Sequence, residues 1–169
     1  MIVDASFFYG PLNIEGLMAN SGADFTQAAI QKGLQQFIER YEVQYLIRLL
    51  GNKLGLEFAN YLGKEEKEPE ARWDNLLSEL VPMPRVSPVA NYVYFYYVRG
   101  NQVHATSIGA TVTNSDNRIT SCDSLIIPAW NEMVEMNRAV YSWLESHKDE
   151  YAGFETHHEL LDKINRLGV

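Results

Sequence analysis

The sequence contains a single cysteine, Cys122, so no disulfide can form within the chain. A lone cysteine favours a reducing compartment, because small secreted proteins commonly depend on disulfides. No apolar run approaches the roughly 18 residues that a membrane-spanning helix requires. The opening residues, MIVDASFFYG, lack the basic start of a secretory signal peptide. We therefore expect a soluble protein, made in a cytoplasm, without a membrane partner.

Basic residues are also scarce relative to acidic ones. The chain has 14 Lys and Arg against 22 Asp and Glu, which gives a net charge of −8. Because nucleic-acid binding depends on neutralising phosphates, this balance argues against a surface that grips DNA or RNA. It does not exclude a surface that DNA merely passes. The motifs GxxxxGK[ST] and GxGxxG are both absent, so no phosphate-binding loop is predicted.

Two groups of residues could carry chemistry, and both are incomplete. His158 and Asp162 have the i, i+4 spacing of ligands on a zinc-binding helix, but no third ligand can be identified. Cys122 could act as a nucleophile only beside a base and an oxyanion site, and nothing in the sequence places His104 near it. We therefore expect no catalytic residue, no metal and no cofactor, and interpret the chain as a non-enzyme.

Aromatic residues are abundant, above all in residues 87–100, SPVANYVYFYYVRG. Tyrosine, valine and phenylalanine favour strands. Yet neither of the two alternating sets of side chains in this segment is polar, so the alternation does not indicate a strand with one solvent-facing side. Ser87 is a good N-cap, and Pro88 suits the first helical position. Arg99 and Gly100 match a last-turn cation and a glycine just past a helix end. We predict a buried central helix that ends at Gly100.

The apolar spacing elsewhere predicts a single, mainly α domain, a bundle of about five to six helices. Residues 25–50 form either one long helix or two short ones that meet near Arg40. Further helices are expected over residues 53–62, 71–81, 124–148 and 155–167. The parts of the domain are an extended arm over 1–22, helices over 23–100, a loop or hairpin over 101–122, and helices over 123–169.

The two non-helical parts supply the candidate partner-binding residues. The apolar arm either packs on its own domain or docks on a neighbouring subunit. The polar segment 101–122 is predicted to hold short strands at 103–107 and 110–113 and a turn at 114–117, and long polar segments in compact domains are commonly functional. The candidate residues are Phe7, Phe8, Tyr9, His104, Thr106, Ile108, Thr111, Thr113 and Asn114.

Several of these pieces together resemble a phage family. The run Tyr41-Glu42, Tyr45-Leu46, Leu49-Leu50-Gly51 and Leu54 resembles the "YE..YL..LLG..L" helix of small virion proteins. These proteins occur in tailed phages of Bacteroides-type hosts, including crAss-like phages. Further similar landmarks are the opening 1–12, the tyrosine-rich 91–99, the loop 106–109 and the helix 133–144. The chain departs from the family at Pro82, Pro84 and Pro88, where related chains more often carry a glycine-rich turn.

The resemblance implies a head–tail connector, also called an adaptor or ring protein. Such proteins are helical structural virion components without catalysis, and they form a ring below the portal, commonly of about twelve subunits joined by head-to-tail contacts. The implied partners are further copies of the chain, the portal protein and tail-side connector proteins, with DNA passing through without specific binding. Two alternatives of other classes are a small cytoplasmic phage-encoded enzyme and a regulatory binding protein such as an antitoxin or chaperone.

Overall fold

The computed structural model describes residues 1–17, 25–64, 68–101, 103–106, 109–112, 122–154 and 156–165. Within these residues the chain is mainly helical, as predicted, and α4 packs against both α1 and α5. The elements are α1 (Phe25–Leu50), α2 (Asn52–Gly63), α3 (Ala71–Leu80), α4 (Pro88–Asn101), β1 (Val103–Thr106), β2 (Gly109–Val112) and α5 (Asp123–Ser146). None of the described helices is long and apolar enough to cross a membrane.

The helix α1 is continuous through Arg40, so the alternative of two short helices is wrong. Gly51, with a φ of 85°, separates α1 from α2. The two helices then fold back on each other at very short range. A Cβ added at Gly55 would lie 2.6 Å from the Cα of Ile47, a distance that backbone atoms cannot tolerate. Glycine at this position therefore allows α2 to pack directly on α1.

The central helix α4 begins as its capping residues predict. The Ser87 hydroxyl accepts a hydrogen bond from the backbone N–H of Val89 at 3.2 Å, and Pro88 takes the first helical position. The predicted end at Gly100 is wrong, because α4 continues to Asn101. Gly100 packs instead against α1, where an added Cβ would lie 2.9 Å from Cζ of Phe37. This glycine permits a close helix–helix contact and does not cap the helix.

The aromatic residues of α4 form the core of the bundle. Tyr92 is fully buried, and its ring centroid lies 5.3 Å from that of Tyr45 on α1 and 6.1 Å from that of Trp130 on α5. Tyr96 stacks on Tyr41 of α1 with the centroids 4.4 Å apart. These rings connect α1, α4 and α5 through edge-to-face and stacked contacts. Such contacts stabilise the fold beyond the burial of the apolar surface of the rings.

The arm contains two short 3-10 turns, Ala5–Phe7 and Gly10–Leu12, and it packs on its own domain. Of the two alternatives, the structure therefore shows the arm as part of its own core. Its buried side chains are Ile2, Val3, Phe7, Phe8, Leu12, Ile14 and Leu17.

The predicted terminal helix over 155–167 is wrong for its described residues, 156–165, which hold no α-helix after α5 ends at Ser146. The described residues beyond it hold a single 3-10 turn, His158–Leu160, followed by non-helical backbone to residue 165. Side chains of α5 donate hydrogen bonds to carbonyl groups of this tail and hold its non-helical backbone against the bundle. The bonds run from Trp130 to Asp162 (2.8 Å), from Asn131 to Ile164 (3.0 Å) and from Asn137 to Leu160 (3.0 Å).

Candidate partner-binding site

The three candidate residues of the arm are divided between the core and the surface. Phe7 and Phe8 are buried in their own domain, whereas Tyr9 is 44% exposed. The arm is held in place by Glu42 of α1, a residue named in the sequence analysis only within the run that resembles the phage family. One carboxylate oxygen of Glu42 accepts hydrogen bonds from the backbone N–H groups of Ile2 at 2.9 Å and Val3 at 3.2 Å.

Glu42 is only 6% exposed, and its environment shifts the pKa of its carboxyl group. Burial raises its pKa, while the two backbone N–H donors and the positive N-terminus lower it in part. The net direction is upward. Two bonds to one oxygen therefore do not fully replace the water that the ionised carboxylate gives up on folding.

The strands predicted in the polar segment are confirmed as a hairpin. β1 and β2 are antiparallel, and the register places His104 opposite Thr111 and Thr106 opposite Gly109. The same register pairs Val103 with Val112, so polar pairs alternate with apolar ones along the ladder. Three further candidates, Ile108, Thr113 and Asn114, and the turn predicted at 114–117 lie outside the described residues.

A cleft of about 560 Å³ lies between the arm and the end of α4, close to where the hairpin begins. Its walls come from the turn at Pro11, from Tyr94 and Tyr97 of α4, and from Leu125 in the first turn of α5. Asn101, the last residue of α4, also lines it, so β1 starts at the rim. Burial raises the pKa of the Tyr94 and Tyr97 hydroxyls, which therefore stay neutral and can only donate or accept hydrogen bonds.

The link between α3 and α4, residues 81–87, contains a tight turn. The backbone N–H of Val86 donates to the carbonyl of Met83 at 3.1 Å, with Pro84 and Arg85 between them. Arg85 has a φ of 64°, and among the residues that the structure describes it is the only non-glycine residue with a positive φ. A proline followed by a positive-φ residue is the pattern of a type II turn, whose third position normally holds glycine or asparagine. No glycine marks the site, so the sequence carried no signal for it.

Neither of the two incomplete chemical groups becomes a site in the described residues. No cluster of three His, Cys, Asp or Glu side chains among them could hold a metal ion. His158 begins a 3-10 turn and Asp162 lies in the non-helical backbone after it, so the α-helical i, i+4 spacing that suggested a zinc ligand pair does not apply. Cys122 lies half-buried at the N-terminus of α5, while His104, the base considered for it, lies on β1.

Comparison of the chain with protein-family models, with curated proteins and with solved structures finds no match. The function must therefore be argued from the residues and their geometry.

Proposed function

We propose that this chain is a structural virion protein that forms a ring at the head–tail junction of a tailed phage, between portal and tail. The observation that carries the proposal is the two-stranded hairpin that follows α4, the helix whose last residue lines the cleft. An isolated two-stranded hairpin is marginally stable in water and needs a further surface to pack on. A neighbouring subunit in a ring would supply that surface through a head-to-tail contact.

The residues that carry the family resemblance are consistent with this proposal. Tyr45, Leu46 and Leu49 are fully buried on the inner face of α1, and Gly51 forms the break before α2. The run is therefore the part of the chain that builds the bundle, which is where a family with this architecture would keep its pattern. Glu42, in the same run, holds the arm.

The charge of the chain suits a channel that DNA crosses. A net charge of −8 for each subunit, repeated around a ring, repels the phosphate backbone, so that DNA slides without being held. We expect the assembled ring to show no retention of double-stranded DNA at physiological salt. A strongly positive lumen, or tight DNA binding that weakens steeply with salt, would contradict this part of the proposal.

The hairpin gives the test of the proposal. Replacing residues 103–112 by a short Gly-Ser linker is expected to leave the helical circular dichroism intact, because the aromatic core lies elsewhere, and to abolish ring formation alone and on a portal ring. The double variant Val103→Ile, Val112→Ile keeps a β-branched apolar pair and is the matched control. Assembly by the linker variant at the wild-type level would count against the hairpin as the contact element.

A further inference from the structure

Residues 157–164 of the tail, which we call the strap, are bound to α5 largely through their backbone. The donors are side chains of α5 and the acceptors are carbonyl groups of the strap. The bonded pairs are Trp130 with Asp162, Asn131 with Ile164, Asn137 with Leu160, and Tyr141 with His157. The Asn131 amide also accepts a hydrogen bond from the N–H of Ile164 at 2.9 Å, so it pairs with both backbone groups of one residue. This face of α5 is therefore a groove that recognises a polypeptide backbone.

Two ion pairs of opposite polarity set the direction and register of the strap in the groove. Near its start, Oε2 of Glu159 lies 3.9 Å from Nη1 of Arg48 on α1. Near its end, Nζ of Lys163 lies 2.5 Å from Oε1 of Glu135 on α5. A reversed strap would bring Lys163 toward Arg48, and like charges disfavour that arrangement. Leu160, fully buried between the two pairs, adds an apolar anchor, so the groove is complementary to this segment in charge and in shape.

The chain just before the strap has the features of a hinge. Tyr151 is the last residue held firmly by the bundle, because it is buried, its ring lies 6.1 Å from that of Trp73, and its hydroxyl donates to the carbonyl of Arg72. Ala152 and Gly153 are exposed. Gly153 has a φ of 92°, and the position of an added Cβ there meets open space. Rotation at Gly153 therefore moves the strap while Tyr151 stays in place.

The strap is attached less strongly than the helices are to one another. All of its residues are described, and among them Leu160 alone is buried, while Leu161 and Ile164 are half-buried. Segments with few buried apolar contacts open locally at a lower free energy than the whole domain. A strap that docks on another copy gains the same contacts that it gives up on its own, which is why the exchange of an identical element costs little.

We infer that the strap of one copy docks in the α5 groove of a second copy of this chain, in the contacts that it makes within its own chain. The occupant is the one segment for which the groove has matching charges, an apolar site and backbone hydrogen bonds. Strap and groove are different surfaces, so the contact is head-to-tail and closes into a ring. Tethering in that ring keeps each neighbouring strap at high effective concentration. The inference rests on the proposed ring and names one of its subunit contacts.

Mixing two single-cysteine variants tests the exchange. In a Cys122→Ser chain, Glu135→Cys marks the groove and Lys163→Cys marks the strap, and both side chains are exposed. An equal mixture is assembled, treated with a short bismaleimide and separated on a denaturing gel. The two chains are linked only when the strap of one lies on α5 of the other. With random neighbours, about a quarter of the head-to-tail contacts carry the required pair, so we expect a clear product of two chain masses.

The ion pair between Glu145 and Lys148 supplies the matched control. Its Nζ–Oε2 distance is also 2.5 Å, but both residues precede the hinge and stay on one chain. Mixed Glu145→Cys and Lys148→Cys chains, in the same Cys122→Ser background, should give no product of two chain masses. The Glu135→Cys, Lys163→Cys double variant should cross-link within or between chains, which verifies that the substitutions leave the strap docked.

The cross-linking pattern and the oligomeric state together separate the outcomes. A product of two chain masses from the strap and groove variants, absent from the control mixture and from each variant alone, supports the exchange. Rings that form from the mixture without this product overturn the inference and leave the proposed ring untouched. Linked pairs from a chain that forms no ring, alone or on a portal ring, support the exchange and overturn the proposed function. The absence of both rings and linked pairs overturns both.

Discussion

Replacing Glu42 tests how the arm is attached to the bundle. Its carboxylate is the acceptor for the backbone N–H groups of Ile2 and Val3, both of which are buried. Glu42→Ala leaves these two donors without a partner. Glu42→Gln keeps one carbonyl oxygen in the same place and removes the charge, so it is the matched control.

The magnitude follows from the two lost hydrogen bonds. A buried donor left without a partner costs about 1–3 kcal/mol, so two of them cost about 2–6 kcal/mol. The upward shift of the Glu42 pKa means that the ionised group is itself penalised by burial, and its removal offsets part of the loss. We expect Glu42→Ala to lose about 2–3 kcal/mol of unfolding free energy at pH 7, and Glu42→Gln to stay within about 1 kcal/mol of wild type.

The pH dependence has a definite sign. Because the pKa of Glu42 is higher in the folded chain than in the unfolded one, the folded state binds the proton more tightly. The contribution of this group to stability is fully present below the unfolded pKa and is lost as pH rises through the folded pKa. The wild type should therefore lose stability relative to Glu42→Gln as pH rises from 4 toward neutrality, and the difference should then level off.

Urea unfolding followed by tryptophan fluorescence at several pH values between 4 and 8 measures both effects. The difference between wild type and Glu42→Gln at each pH cancels the contributions of the titrating groups that the two chains share. A wild type that gains stability relative to Glu42→Gln as pH rises would refute the reasoning, since the carboxylate would then be stabilised in its ionised form. Equal stability of Glu42→Ala and Glu42→Gln would refute the role of the two N–H bonds.

Three further predictions concern the helices and the tail. Asn137→Leu removes two buried hydrogen bonds and should cost about 2–4 kcal/mol, with faster proteolysis of the tail than of the bundle. Gly100→Ala should cost about 1–3 kcal/mol through the clash with Phe37, and Phe37→Leu should restore part of it. Burial raises the pKa of Tyr141 and Tyr151 to about 12, so in an absorbance titration they should ionise later than exposed tyrosines, and stability should fall above pH 10. Ionisation of all ten tyrosines near pH 10 in the folded chain would contradict the last expectation.

The start of α4 was predictable because its determinants are local. Ser87 and Pro88 satisfy or remove backbone N–H groups within one turn, whatever surrounds them. The other end was not predictable from the same rules. Gly100 is required by the ring of Phe37, far away in sequence, and a glycine near a helix end resembles a cap when that contact is unknown.

The tail and the candidate site show the same limit. The apolar spacing of residues 155–167 fits a helix, but Trp130 and Asn137 of α5 donate hydrogen bonds to carbonyl groups of this segment, contacts that the spacing does not reveal. The hairpin could be predicted, because its residue types change sharply from those of the helices. The burial of Glu42 and the positive φ of Arg85 could not be predicted, because each is set by contacts between segments that are distant in sequence or by the path of a turn that no glycine indicates.

We propose that the chain builds a closed ring at a head–tail junction. Mass measurement in solution with negative-stain imaging, for the purified chain alone and mixed with a portal ring, tests it most directly. We expect a ring of about twelve subunits, formed alone or on the portal as template. Monomers that remain monomeric in the presence of the portal would contradict the claim.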